Sequence, residues 1–125
     1  MKTQTTDAGE IEVWTPEEVA RAQAAGEIVL IDVRTPQEYM FEHIDGALLF
    51  PMAGFHAANL PGQSDKRLVF YCGSSVRSGK MAEAALASGL SPMAHLEGGF
   101  ARWKEAGQRY IGTEMSTGAP KVVTP

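Results

Sequence analysis

Residues 68–77 read Leu68-Val69-Phe70-Tyr71-Cys72-Gly73-Ser74-Ser75-Val76-Arg77, and the change of character in the middle decides what kind of fold the chain can adopt. The four apolar residues predict a strand covered on both faces, as in a parallel sheet. The small polar residues after Cys72 predict a tight loop. Ser78 to Ser88 then brings Met81, Ala82, Ala85 and Leu86 at helical spacing, closing at Gly89. Strand, short loop and helix form the repeating unit of a sheet with helices packed on it. In such sheets ligands bind beyond the carboxyl ends of the strands, and Cys72 stands at one.

The same rhythm extends outward. Upstream, Ile11-Glu12-Val13 reads as a short strand and Thr15-Pro16-Glu17-Glu18 as a helix start. Thr15 caps, Pro16 takes the first helical position, Glu18 completes a capping box, and Trp14 with Val19 forms a hydrophobic staple. Gly26 ends this helix. Ile28 to Ile31 is a buried strand leading to Asp32-Val33, and Thr35-Pro36-Gln37-Glu38 repeats the helix-start pattern, with a helix running to about Glu42. Ala47 to Phe50 reads as another short buried strand and Pro51 to Asn59 as a weak helix, broken at Asn59-Leu60-Pro61-Gly62. Downstream, Met93 to Leu96 is the last strand, Gly98-Gly99 a turn, and Phe100 to Ala106 a short helix. The expected fold is α/β, an open and mostly parallel sheet flanked by helices on both faces. It forms a single domain over residues 10–107, with a loose polar segment at 1–9 and a tail at 108–125.

The chain of 125 residues is 44% hydrophobic with a formal net charge of −4. That charge argues against nucleic acid as a partner, so an anionic ligand needs a local positive site. Cys72 is the single cysteine, which rules out an internal disulfide and suits a reducing compartment. The polar start lacks the apolar core of a signal peptide, and the apolar runs fall far short of the ~20 residues that span a bilayer. No membrane partner and a soluble, cytoplasmic location are the expectation.

The loop carries the chemistry. Successive N–H groups of a tight Gly73-Ser74-Ser75-Val76 turn can converge on one point, and a helix beginning near Ser78 adds the positive end of its dipole. A thiol held there becomes a better nucleophile, because those donors favour its thiolate, and the same donors suit a persulfide anion. Arg77 supplies a fixed charge for an oxyanion. No histidine or carboxylate follows Cys72 in the loop, so activation by field and hydrogen bonds is the simpler reading. A free cysteine at a strand end is more often inert packing, but an apolar slot would not be followed by Gly-Ser-Ser and an arginine. His43, His56 and His95 lie in different elements without metal-ligand spacing, so no metal or other cofactor is expected. A Cys–His pair would require one of them to fold back onto Cys72.

At this point three stretches resemble the rhodanese domain family. Leu30-Ile31-Asp32-Val33-Arg34 with Glu38-Tyr39 and His43-Ile44-Asp45-Gly46-Ala47 is similar to its first signature. Tyr71-Cys72 with Arg77-Ser78 resembles its active-site loop. Leu96-Glu97-Gly98-Gly99-Phe100 with Trp103 and Gly107 resembles its closing signature. The resemblance implies a five-stranded parallel sheet and a loop, Gly73 to Arg77, that cradles sulfur on Cys72. It also implies uptake of sulfane sulfur from thiosulfate or a related donor, a Cys72 persulfide, and delivery to cyanide or a thiol, on a small molecule or an acceptor protein. Arg77 matches the family arginine that binds the sulfonate end of the donor; Asp32 and Arg34 match bracing positions. Ser75 and Glu42 stand where family members often carry glycine, and Ser75 bears on donor preference.

Two other functions are compatible with such a loop. Related folds host phosphatase and arsenate chemistry, but four residues separate Cys72 from Arg77 where those phosphatases have five, which favours sulfur. A non-catalytic sensing module is the third reading; retention of both Cys72 and Arg77 argues against it. Phe100 and Trp103 are expected in the core, and Lys80 on the surface.

Overall fold

The computed structural model describes residues 1–125. Its strands are β1 (Lys2–Thr6), β2 (Gly9–Trp14), β3 (Ile28–Asp32), β4 (Leu48–Leu49), β5 (Arg67–Tyr71), β6 (Ala94–Leu96), β7 (Tyr110–Thr113) and β8 (Pro120–Val123). Its helices are α1 (Pro16–Ala24), α2 (Pro36–Phe41), α3 (Val76–Ala87) and α4 (Gly99–Glu105). One sheet runs β1-β2-β6-β5-β3-β4, with every pairing parallel except the antiparallel β1–β2 edge. The five parallel strands are those the sequence implies, and the sheet has a sixth.

Alternation along the central strands builds two cores. Leu68, Phe70 and Cys72 face α3, together with Ile31, Val33, Ala82 and Ala85. Val69 and Tyr71 face the other side with Leu30, Val19 and Ala22 of α1, and Phe100 and Trp103 of α4. Cys72 therefore continues the α3 face one step past the end of β5.

Both helix-start readings hold: Thr15 with Glu18, and Thr35 with Glu38, each form a complete capping box with proline in the first turn. Several expectations need correction. The segment at 1–9 is not loose; β1 pairs along its length with β2, from Lys2 opposite Val13 to Thr6 opposite Gly9. An edge strand exposed to water needs no apolar face, so Lys-Thr-Gln-Thr-Thr gave no periodic signal. The strand at 47–50 is only Leu48–Leu49, with Leu48 exposed, and the helix at 51–59 is only a 3-10 turn at Ala57–Asn59. Beyond 107 the chain forms the β7–β8 hairpin. Ile111 exchanges both backbone hydrogen bonds with His43, and Thr113 Oγ1 donates to the Phe41 carbonyl at 2.7 Å, so the hairpin clasps the end of α2.

Candidate active site

Helix α3 starts at Val76, two residues earlier than the sequence suggests. Ser75 precedes it with φ of 104°, the only residue other than glycine in the left-handed range. Such a conformation is strained for a side-chain-bearing residue and is retained where the surroundings enforce it. Here it turns the loop back on itself, so that amides point at Cys72. The Ser75 N–H donates to Sγ at 3.1 Å and the Ser78 N–H at 3.3 Å, while the thiol lies 3.6 Å from Ser78 Oγ. The convergence expected of the loop is present, and Ser78, which the sequence places at the end of the loop signature and the start of the helix without a bond to the sulfur, is part of it. Cys72 itself is 0% exposed. Burial pushes its thiol up. The Ser78 hydroxyl and the amides of Ser78, Ser74 and Ser75 outweigh that and hold it below the ordinary value.

Beneath the loop, α4 acts as a buttress. Phe100 N–H donates to the Cys72 carbonyl at 2.8 Å and Ala101 N–H to the Gly73 carbonyl at 3.1 Å. This approach requires glycine at 99: its φ is +62°, and a Cβ there would lie 2.5 Å from the Cys72 oxygen. The Gly98-Gly99 turn of the closing signature thus fixes the loop's carbonyls while its amides face the sulfur.

Arg77 lies in the first turn of α3 with its guanidinium beside Gly73, and it does not stand free. It donates to both carboxylate oxygens of Glu38, at 2.8 and 3.0 Å. The Arg77 guanidinium holds the Glu38 carboxyl down at about 2, against the opposing effect of burial and with help from the Thr35 amide. A pocket of about 380 Å³ opens beside Arg77, walled by Val33, Thr35, Pro36, Pro51 and Met52. A roomier hollow of about 470 Å³ lies by Ala20, Asp45 and Arg109, and Cys72 lines neither.

Asp32 and Arg34 are both buried and belong to a bracing cluster. Arg34 donates to both oxygens of Asp32, Tyr71 OH donates to Asp32 at 2.6 Å, and the Ile44 amide donates to Tyr71 OH. Arg34 also reaches the Glu42 carbonyl and lies over the Phe100 ring. With both Asp32 oxygens, the Tyr71 hydroxyl and Arg34 Nε and Nη2 partnered, the group joins β3, β5 and the end of α2 beneath the site. His43 stacks on Tyr39, away from the sulfur. His95 faces the α3 side of the sheet and meets Ser78.

The sequence model of a family described as rhodanese-like domain matches residues 15–106. A probable adenylyltransferase/sulfurtransferase of Mycobacterium tuberculosis is 39% identical over 71% of this chain and 24% of its own. A thiosulfate sulfurtransferase of Coxiella burnetii is 32% identical over 62% of this chain and 73% of its own. This chain spans 24% to 59% of the length of the first curated relatives it matches. Among solved structures, a Rhodopseudomonas palustris protein of unknown function, described as a possible tyrosine phosphatase, superposes with a TM-score of 0.69. It is 32% identical, over 78% of this chain and 83% of that one. No helix is long and apolar enough to cross a membrane.

Proposed function

Because this chain belongs to the rhodanese-like domain family, we propose that it is a sulfurtransferase that carries sulfane sulfur on Cys72. The thiolate attacks the outer sulfur of thiosulfate or a similar donor; a Cys–S bond forms, the donor's S–S bond breaks, and sulfite leaves with the electron pair. A thiol or cyanide then attacks the outer sulfur of the persulfide, releasing the Cys72 thiolate. The observation that carries this reading is the pair of amides, from Ser75 and Ser78, aimed at Sγ. They stabilise an anionic sulfur whether it is the thiolate or the persulfide. Gly73, Ser74 and Val76 complete the turn, and Arg77 orients the oxyanion end of the donor. Since Cys72 has no exposed surface, a donor reaches it only when the loop shifts. Names among the relatives support sulfur transfer as the class of reaction.

Treatment of the protein with thiosulfate, followed by intact mass measurement, should add one sulfur, and thiocyanate should form when cyanide follows. Cys72→Ala should abolish both. A wild-type mass that stays unchanged with every sulfane donor would remove the carrier role. The phosphatase reading draws on the name of one structural relative. Against it stands the short Cys72-to-Arg77 interval of four residues. Robust turnover of an aryl phosphate by this protein would reverse the choice.

A further inference from the structure

The thiol bonded to Ser78 is the start of a chain of polar groups that runs from buried Ser78 and His95 to exposed Gln4 on the sheet edge. Ser78 Oγ lies 2.8 Å from His95 Nδ1, and His95 Nε2 lies 3.2 Å from Gln4 Oε1. With the Gln4 amide turned so that Oε1 faces the ring, Nε2 carries the ring hydrogen and Nδ1 accepts from the Ser78 hydroxyl. His95 is 3% exposed, and its ring packs against α3 at Gly79. Four elements contribute: the loop after β5 gives Cys72, α3 gives Ser78, β6 gives His95, and the antiparallel edge β1 gives Gln4.

We propose that Ser78 and His95 are a proton relay for Cys72, with Gln4 setting the imidazole tautomer. In the resting chain the thiol S–H points to Ser78 Oγ, and the Ser78 O–H, which has the Ser75 carbonyl at 3.1 Å as a second acceptor, turns to the nearer His95 Nδ1 at 2.8 Å. When a sulfur donor is attacked, the thiol proton passes to Ser78 and the Ser78 proton to His95. The result is a thiolate that accepts from Ser78 and an imidazolium that donates to Ser78 and to Gln4. When an acceptor takes the outer sulfur, the proton returns by the same two hops to the departing Cys72 thiolate. Ser78 has a single hydrogen, so it cannot satisfy a thiolate and a neutral His95 together; ionisation of the two ends is therefore coupled. Burial keeps His95 less basic than an ordinary histidine, which leaves it neutral and able to accept at rest.

His95 lines a pocket of about 330 Å³ with Gln4, Thr6, Lys80 and Glu83, which shares no wall with the pocket beside Arg77. Ser75 and Val76 of the sulfur loop also line the His95 pocket, so the His95 end of the chain opens to the surface beside that loop. Lys80 and Glu83 from α3 are the charged groups at this pocket; β1 brings Gln4 and Thr6, and the sheet partners of His95 are Val13 and Phe70.

The relay depends on the sulfurtransferase reading only for its use in turnover, so its test reads the resting thiol and can fail while persulfide formation succeeds. Cys72 is the single cysteine, and its alkylation by iodoacetamide can be followed across pH. The intact protein should give two inflections that belong to the pair. His95→Phe should leave one, about one pH unit higher, with alkylation about tenfold slower at neutral pH. His95→Gln accepts the Ser78 hydrogen but takes no proton, and it should behave like His95→Phe; recovery to the wild-type profile would reduce His95 to packing. In a Ser78→Ala background His95→Phe should add nothing, and an equal further loss there would break the relay. Should the His95 variants unfold, imidazole ¹⁵N shifts answer on the native histidine: its titration midpoint should fall when Cys72→Ala removes the thiolate, and an unmoved midpoint overturns the coupling.

Discussion

Helices α1 and α2 start from nearly the same instruction, Thr15-Pro16-Glu17-Glu18 and Thr35-Pro36-Gln37-Glu38, and end in different roles. In each, the threonine hydroxyl accepts from the glutamate amide, and the glutamate carboxylate accepts from the threonine amide. Helix α1 buries Pro16, Val19 and Ala22 in the core, whereas α2 buries none of its residues. The spare oxygen of Glu18 meets the terminal amine of Met1, and both oxygens of Glu38 meet Arg77 at the sulfur loop. One local motif thus anchors a helix in one place and aims a carboxylate at the candidate site in the other. Held by its cap and by the β7–β8 hairpin rather than by a buried face, α2 serves as a mount for Glu38.

The largest expected effect comes from breaking the pairing that distinguishes the two helices. Arg77→Ala should lower kcat/KM for thiosulfate about a hundredfold, the scale of losing a charged hydrogen bond to the donor and leaving Glu38 facing it. Glu38→Gln frees the guanidinium; removing the carboxylate's repulsion is worth about 1 kcal/mol, so KM for thiosulfate should fall roughly fivefold, and less at high salt. Glu18→Gln should leave the kinetics untouched. Steady-state rates at two ionic strengths check all three, and an unchanged KM in Glu38→Gln would mean the Arg77 pair does not govern donor binding.

The caps themselves give the next effect. Thr15→Ala and Thr35→Ala should each cost about 1 kcal/mol at the helix they start. In Thr15→Ala the buried face keeps α1 in place and denaturant unfolding records the loss. In Thr35→Ala, hydrogen exchange should quicken through α2 and the KM for thiosulfate should move with it. Equal protection of the two helices in both variants would end the distinction.

Acid titration gives the smallest and most direct reading. Glu38 is held at about 2 rather than 4.5, so its contribution is complete above about pH 4.5 and is lost as pH falls toward 2. Glu18 is lowered as well, mainly by the Thr15 amide, without a guanidinium beside it. Carboxyl ¹³C shifts should therefore show Glu38 protonating after Glu18. Coincident midpoints would deny Glu38 its special partner.

Much of this was legible in the chain because its causes are local. Apolar runs at strand length, two capping boxes and the glycine endings come from neighbours within a turn or two, and they placed β2, β3, β5, β6 and three of the four helices closely. For α3 the start was read late, because Ser75 takes a left-handed conformation that its residue type does not announce. The loop after Cys72 was readable for the same local reason: small residues at a strand end leave amides free to converge.

The sequence by itself determined the parallel α/β scaffold, the position of the thiol at the mouth of the sheet, and the family signatures around it. Packing in three dimensions settled which distant groups meet around that thiol: Glu38 meets Arg77 across 39 residues, Ser78 meets His95 across 17, and His95 meets Gln4 across 91. The physical reason is that burial leaves a periodic trace along the chain. A polar edge strand or a hydrogen bond between remote side chains leaves none until the sheet order brings them together.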